Sequence, residues 1–151
     1  MMTEISLNVL DVSENSTRAG ASLVTILVTA DTSADKLTIA IADNGCGMTP
    51  EQTAHVTDPF FTTRTTRKVG LGIPFFKYAA ESTGGSFHIE SEPGKGTTVT
   101  AVFGLSHIDR MPLGDMNATI HNLIVYHPDT DFLYTYTYND ACLLYTSDAA
   151  D

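Results

Sequence analysis

The stretch Lys36-Leu37-Thr38-Ile39-Ala40-Ile41-Ala42 alternates bulky apolar with smaller residues and runs directly into Asp43-Asn44-Gly45-Cys46-Gly47-Met48. Period-two alternation predicts a strand with one face in a core, and it sets Asp43 at the strand's end. Gly45 and Gly47 carry no Cβ, so the backbone there is free to bend sharply and to lie close to a ligand. A carboxylate beside such a bend can accept hydrogen bonds from a flat base held over the glycines. Asp-Asn-Gly is equally the chemistry of a tight turn, so the stretch by itself leaves both readings open.

The elements around it follow from local pattern. Ile5, Val9 and Val12 fall on one stripe and Gly20 follows Arg18, which predicts a helix over 4–19. On a neighbouring face Asp11 and Asn15 lie one turn apart, so their side chains point the same way. An Asn carbonyl oxygen is a hard ligand of the kind Mg²⁺ takes, and a carboxylate one turn away can orient a nucleophile; a plain solvated helix face accounts for the same pair. Residues 22–30 read as a strand, turned by 31–35 into the 36–43 strand as an antiparallel hairpin.

Thr49-Pro50-Glu51-Gln52 is a helix start with Thr as N-cap, Pro at N1 and Gln at N3. That helix ends before Asp58-Pro59. The run from Phe60 to Lys68, rich in hydroxyls and cations, reads as a mobile lid. Gly70-Leu71-Gly72 leads into a helix over about 73–83, whose exposed N–H groups and dipole favour phosphate. Strands are predicted over 86–91 and 97–105, an irregular connection over 106–115, a helix over 116–126, and an aromatic strand face at Phe132, Tyr134, Tyr136 and Tyr138. Residues 141–151 fit no predicted element and look like a non-native read-through tail on a truncated gene, so they are kept out of the functional reading.

Charge and cysteine usage narrow the function classes. Eight Lys and Arg against 18 Asp and Glu give a net charge of −10, which disfavours nonspecific binding to nucleic acid or to anionic membranes. No window holds the ~18 consecutive apolar residues of a membrane span, and the N-terminus has no basic, apolar leader, so a cytoplasmic protein is expected. Arg64, Arg67 and Lys68 form the one basic cluster in the sequence. Cys46 and Cys142 are too few and too distant for a metal site, and the five histidines show no ligand spacing.

Taken together, residues 4 to about 105 resemble the GHKL superfamily: DNA gyrase B, the ninety-kilodalton heat-shock chaperone, histidine kinases and MutL. The resemblance rests on five motifs in order. They are Glu14-Asn15-Ser16 with Ala19-Gly20-Ala21, Asp43 to Met48, Asp58-Pro59-Phe60-Phe61-Thr62-Thr63-Arg64, Gly70-Leu71-Gly72-Ile73, and Gly94-Lys95-Gly96-Thr97-Thr98-Val99. The third and fifth look most like the histidine-kinase branch; the first looks more like MutL. The resemblance implies an α/β Bergerat fold, a two-layer sandwich with a mixed, mostly antiparallel sheet backed by helices, with ATP and Mg²⁺ as ligands. It divides the chain into an ATP-binding domain over 1–105, a C-terminal extension over 106–140 and the tail over 141–151.

Residue by residue, it implies that Asn15 ligates Mg²⁺ and that Asp43 accepts the adenine amino group. Gly45, Gly47 and Met48 would shape the adenine pocket with Thr97 supporting the base, Gly70, Leu71 and Gly72 would lie against the phosphates, and Phe60, Arg64 and Lys68 would belong to the lid. Where hydrolysing branches carry a Glu four residues before the Asn, this chain has Asp11, a candidate base one methylene shorter. The Gly70–Gly72 motif is shortened and followed by Ile73-Pro74, and no histidine sits in a phosphoacceptor helix. Three functions are therefore expected. The leading one is a histidine-kinase-type module passing the γ-phosphoryl of ATP to a partner protein; the second is an ATP-gated switch or slow ATPase, and the third a nucleotide sensor that binds ATP without turning it over.

Overall fold

The computed structural model describes residues 4–58, 72–139 and 141–147. Its elements are α1 (Ile5–Arg18), β1 (Leu23–Asp31), β2 (Lys36–Asp43), α2 (Pro50–Val56), α3 (Gly72–Glu81), β3 (Ser86–Glu92), β4 (Gly96–Gly104), α4 (Met116–Tyr126), β5 (Asp131–Tyr138) and β6 (Ala141–Ser147). The six strands form one sheet in the order β3-β4-β2-β1-β5-β6. All neighbours are antiparallel except β1 and β5, which run parallel. This is the α/β arrangement expected, a mixed and mostly antiparallel sheet with helices on one face.

Register explains why one face is covered. Ile26 of β1 lies opposite Ile41 of β2 and Tyr134 of β5, and Ile41 lies opposite Val99 of β4, so one apolar row crosses four strands. Ile5, Val9 and Val12 of α1, Ile73, Phe76 and Ala80 of α3, and Met116, Ile120 and Leu123 of α4 close over that row. Burial of such a contiguous apolar surface, at ~25 cal/mol per Å², is the main force holding the two layers together. The alternate strand positions face away, with Leu23 and Leu27 each 42% exposed.

Local chemistry fixes the ends. Thr49 and Gln52 form a reciprocal capping box at the start of α2. Asp31 accepts hydrogen bonds from the Ser33 and Ala34 amides and the Ser33 hydroxyl, which shapes the β1–β2 turn and lowers the Asp31 pKa. Helix α1 has no capping side chain. Its first free amides, on Ile5 and Ser6, instead donate to the Pro112 and Leu113 carbonyls of the connection after β4.

The segment after residue 105 is joined to this core. β5 pairs with β1 along its whole length, and Leu123 and Phe132 are buried with the residues of α1 and β1. The tail corrects one expectation. Residues 141–147 do form an element, β6, paired antiparallel with β5 from Tyr138↔Ala141 onward. The sequence lacks alternation there, but only two residues separate Tyr138 from Ala141, and Asn139 takes a left-handed φ of 52°. Asn at positive φ in a two-residue connection is strong hairpin chemistry, and the Leu-Leu-Tyr-Thr run is β-prone enough to follow it.

Candidate functional site

Asp43, at the end of β2, is held from two sides. Its Oδ2 accepts from the Ser16 hydroxyl of α1 at 2.7 Å, and its Oδ1 accepts from the Gly45 amide at 2.9 Å. A carboxylate offers about four acceptor positions, so two remain for a ligand. Across the sheet Asp43 pairs with Thr97 of β4.

The bend that follows is fastened at each residue. Asn44 Oδ1 accepts from the Ser22 and Leu23 amides, and the Cys46 amide donates to the Ala19 carbonyl at the end of α1. The Met48 amide donates to Ser91 Oγ at 2.8 Å, and Ser91 Oγ lies 2.7 Å from Thr97 Oγ1. Two glycines are demanded by this geometry. Gly47 has φ +71°, and a Cβ there would sit 2.0 Å from the Glu92 carbonyl oxygen; a Cβ on Gly45 would meet Ala19 Cβ and O at 2.9 Å.

Between α1, this bend and β4 lies a cavity of about 470 Å³. Among the described residues, α1 contributes Asn15, Ser16 and Arg18 to its wall, the bend contributes Asp43, Cys46, Gly47 and Met48, and β4 contributes Thr97 and Val99. Ile41, Val56 and Ile73 make the wall apolar. Asn15 and Asp43 thus border the same space, as do Gly47, Met48 and Thr97. Gly45 is packed behind the bend against Ala19, outside the lining. Phe60, Arg64, Lys68, Gly70 and Leu71 lie outside the described residues. Gly72 opens α3 against α1, where an added Cβ would sit 3.0 Å from Asp11 Cβ.

Asp11 does not border the cavity among the described residues. Burial raises its pKa; the Arg18 charge opposes that effect and the Glu14 charge adds to it. Asn15 Oδ1 accepts from Arg18 Nη1 at 2.8 Å, while its Nδ2 is buried with no hydrogen-bond partner among the described residues. A buried unpaired amide is costly, by ~1–3 kcal/mol, and in a native structure it marks a place completed by water or a ligand. Arg18 is the one cation lining the cavity among the described residues, and it is absent from the expectations above. Its spacing, three after Asn15 on one helix, was signal enough to place the two side chains together.

A family model described as Histidine kinase-, DNA gyrase B-, and HSP90-like ATPase matches residues 1–107. The chain belongs to this family. As a member of the histidine kinase-, gyrase B- and HSP90-like ATPases it has similar chains among bacterial sensor proteins. One is the sensor protein SrrB of Staphylococcus aureus, 33% identical over 102 residues, which cover 64% of this chain and 17% of that protein. Another is a Shewanella frigidimarina chain named as a sensor protein, 38% identical over 72 residues, 47% of this chain and 11% of that one. The chain therefore spans only a small part of these relatives. Among solved structures, the N-terminal domain of a DNA repair protein superposes with a TM-score of 0.69 at 15% identity, over 97% of this chain and 53% of that one. At that identity the likeness is one of fold.

Proposed function

We propose that this member of the ATPase family is the nucleotide-holding catalytic module of a kinase that passes the γ-phosphoryl of ATP to a residue on a partner protein. The observation that carries this reading is that Asp43 and Asn15, from a strand end and the first helix, border one cavity of small-molecule size. Asp43, oriented by Ser16 and Gly45, accepts the exocyclic amino hydrogens of adenine on its free lone pairs. Gly47 and Met48 frame the base and Thr97 supports it from β4.

The residues present also fit a bound Mg²⁺. Among the described residues no group of three His, Cys, Asp or Glu is placed to hold a metal alone, and Mg²⁺ in phosphoryl-transfer sites takes few protein ligands beside phosphate oxygens. Asn15 Oδ1 would supply the protein oxygen, which requires Arg18 to release it. Arg18, which lines the same cavity, would then be available to pair with a phosphate. When bound, Mg²⁺ neutralises phosphate charge as the γ-phosphoryl leaves. Arg18 and the start of α3 would share that task, and Arg64 and Lys68, which lie outside the described residues, are the further cations that the sequence offers for it. The two relatives named above, both called sensor proteins, support a protein acceptor.

The second reading, a slow ATPase or ATP-gated switch, is favoured by Asp11. Burial makes its carboxyl more basic than usual, and it lies one helical turn before Asn15, the position at which the resemblance puts the base of the hydrolysing branches, although it stands outside the described cavity wall. Incubation of the protein with γ-labelled ATP and native lysate separates the two. Phosphoryl transfer predicts a labelled partner that disappears with Asn15→Asp. Phosphate release that disappears with Asp11→Asn, with no labelled protein, would establish the second reading instead.

A further inference from the structure

Asp43 of β2, Thr97 of β4 and Ser91 of β3 stand directly opposite one another, a single row across three strands. Asp43 and Thr97 line the cavity. Ser91 stands behind Thr97 on the edge strand and is outside the lining among the described residues. Its hydroxyl makes three contacts: the Met48 amide at 2.8 Å, the Gly96 carbonyl at 3.1 Å and Thr97 Oγ1 at 2.7 Å.

Counting protons orders these contacts. A hydroxyl has one proton to give and two lone pairs with which to accept. The Met48 amide can only donate and the Gly96 carbonyl can only accept, so Ser91 accepts from the first and gives its own proton to the second. Thr97 then donates in the 2.7 Å contact. The opposite order, with Ser91 donating to Thr97, leaves the Gly96 contact without a proton and makes one hydrogen bond fewer in a half-buried place.

With its proton turned to Ser91, Thr97 presents only lone pairs to the cavity. Asp43 beside it is an acceptor too, each of its oxygens having one protein donor and room for another. Two oxygens that receive the two hydrogens of one primary amino group lie about 5 Å apart when each N–H···O distance is about 2.9 Å. Side chains directly opposite on neighbouring strands start from Cβ atoms about 4.5–5.5 Å apart, which suits that span. A 6-oxo purine puts a carbonyl oxygen where it meets two acceptors and no donor.

We propose that Ser91 is the positioning residue for base choice: through Thr97 it fixes a pair of acceptors that takes both hydrogens of a 6-amino group and turns away a 6-oxo base. This inference rests on the nucleotide reading of the cavity and adds the residue that sets which base it takes.

Calorimetric titration of the 151-residue chain with ATP and with inosine triphosphate, each with Mg²⁺, tests this. The native chain should favour ATP by at least about a hundredfold, and Ser91→Ala should narrow that ratio about tenfold, because the Thr97 proton is released to meet the carbonyl. Ser91→Thr keeps the hydroxyl and should keep the native ratio. Thr97→Val removes the second acceptor, leaves Ser91 its bond to Met48, and should narrow the ratio as well. If Ser91 only braces the bend, Ser91→Ala weakens both ligands by one common factor. That result, an unchanged ratio in Thr97→Val, or equal affinities in the native chain would overturn the proposal while ATP binding stands. No binding of ATP by the native chain would overturn it together with the phosphoryl-transfer reading.

Discussion

Gly47 carries the geometry of the bend. A Cβ at that position meets the Glu92 carbonyl oxygen at 2.0 Å, and the left-handed φ of +71° adds its own strain. Gly47→Ala is therefore predicted to destabilise the fold by about 3 kcal/mol, read from urea unfolding, whereas a loss below about 0.5 kcal/mol would show that the strand end yields. Asp11 gives a prediction with a sign. Its carboxyl titrates above the ordinary 3.8 because burial disfavours the charged form. Below the unfolded value both states hold the proton and no penalty exists; the penalty grows as pH rises through the folded value. Asp11→Asn should then raise Tm at about pH 7 and leave it unchanged at about pH 3; a gain of equal size at both would assign the effect to packing. The sequence made Asp43, Asn15 and the two glycines legible because each belongs to a local pattern. Arg18 and Ser16 were overlooked because their importance comes from what they touch: Asn15 for one, and Asp43, 27 residues away, for the other.

Elements whose cause is local were readable from the chain. The capping box of Thr49 and Gln52 is the clearest case, since four consecutive residues contain the whole interaction. Thr49→Ala is predicted to cost about 1 kcal/mol and to raise amide exchange in α2, while unchanged exchange there would mean that tertiary contacts hold the helix. The hairpin of β1 and β2 and the helix over 116–126 are legible in the same way, through period and turn chemistry. What escaped was pairing at long range. Nothing near residue 23 reveals that β1 will lie parallel to β5, with Leu23 opposite Asp131, and nothing near Ile5 reveals that Pro112 will accept its amide hydrogen bond. β6 escaped for a different reason: its hairpin signal is a single Asn, without the alternation that normally announces a strand.

The molecule as one unit depends on the segment beyond residue 105. The family model ends at residue 107, yet β5 covers one long side of β1, and Leu123 and Phe132 lie fully inside the core. A chain cut after residue 107 would open β1 as a long edge and uncover the apolar surface that α4 and β5 bury. It is predicted to aggregate or to lose cooperative thermal unfolding; a truncated chain melting within about 5 °C of the intact one would show that residues 108–151 are an accessory. The functional reading depends on the same integrity, because α1, whose first turn is tied to the connection at Pro112 and Leu113, carries Asn15 into the cavity opposite Asp43. Calorimetric titration of the intact chain with ATP, with and without Mg²⁺, beside Asp43→Asn under the same conditions, probes that arrangement. Mg²⁺-dependent binding weakened at least about tenfold in Asp43→Asn is the predicted result; equal binding by the two proteins, or none by either, would contradict it.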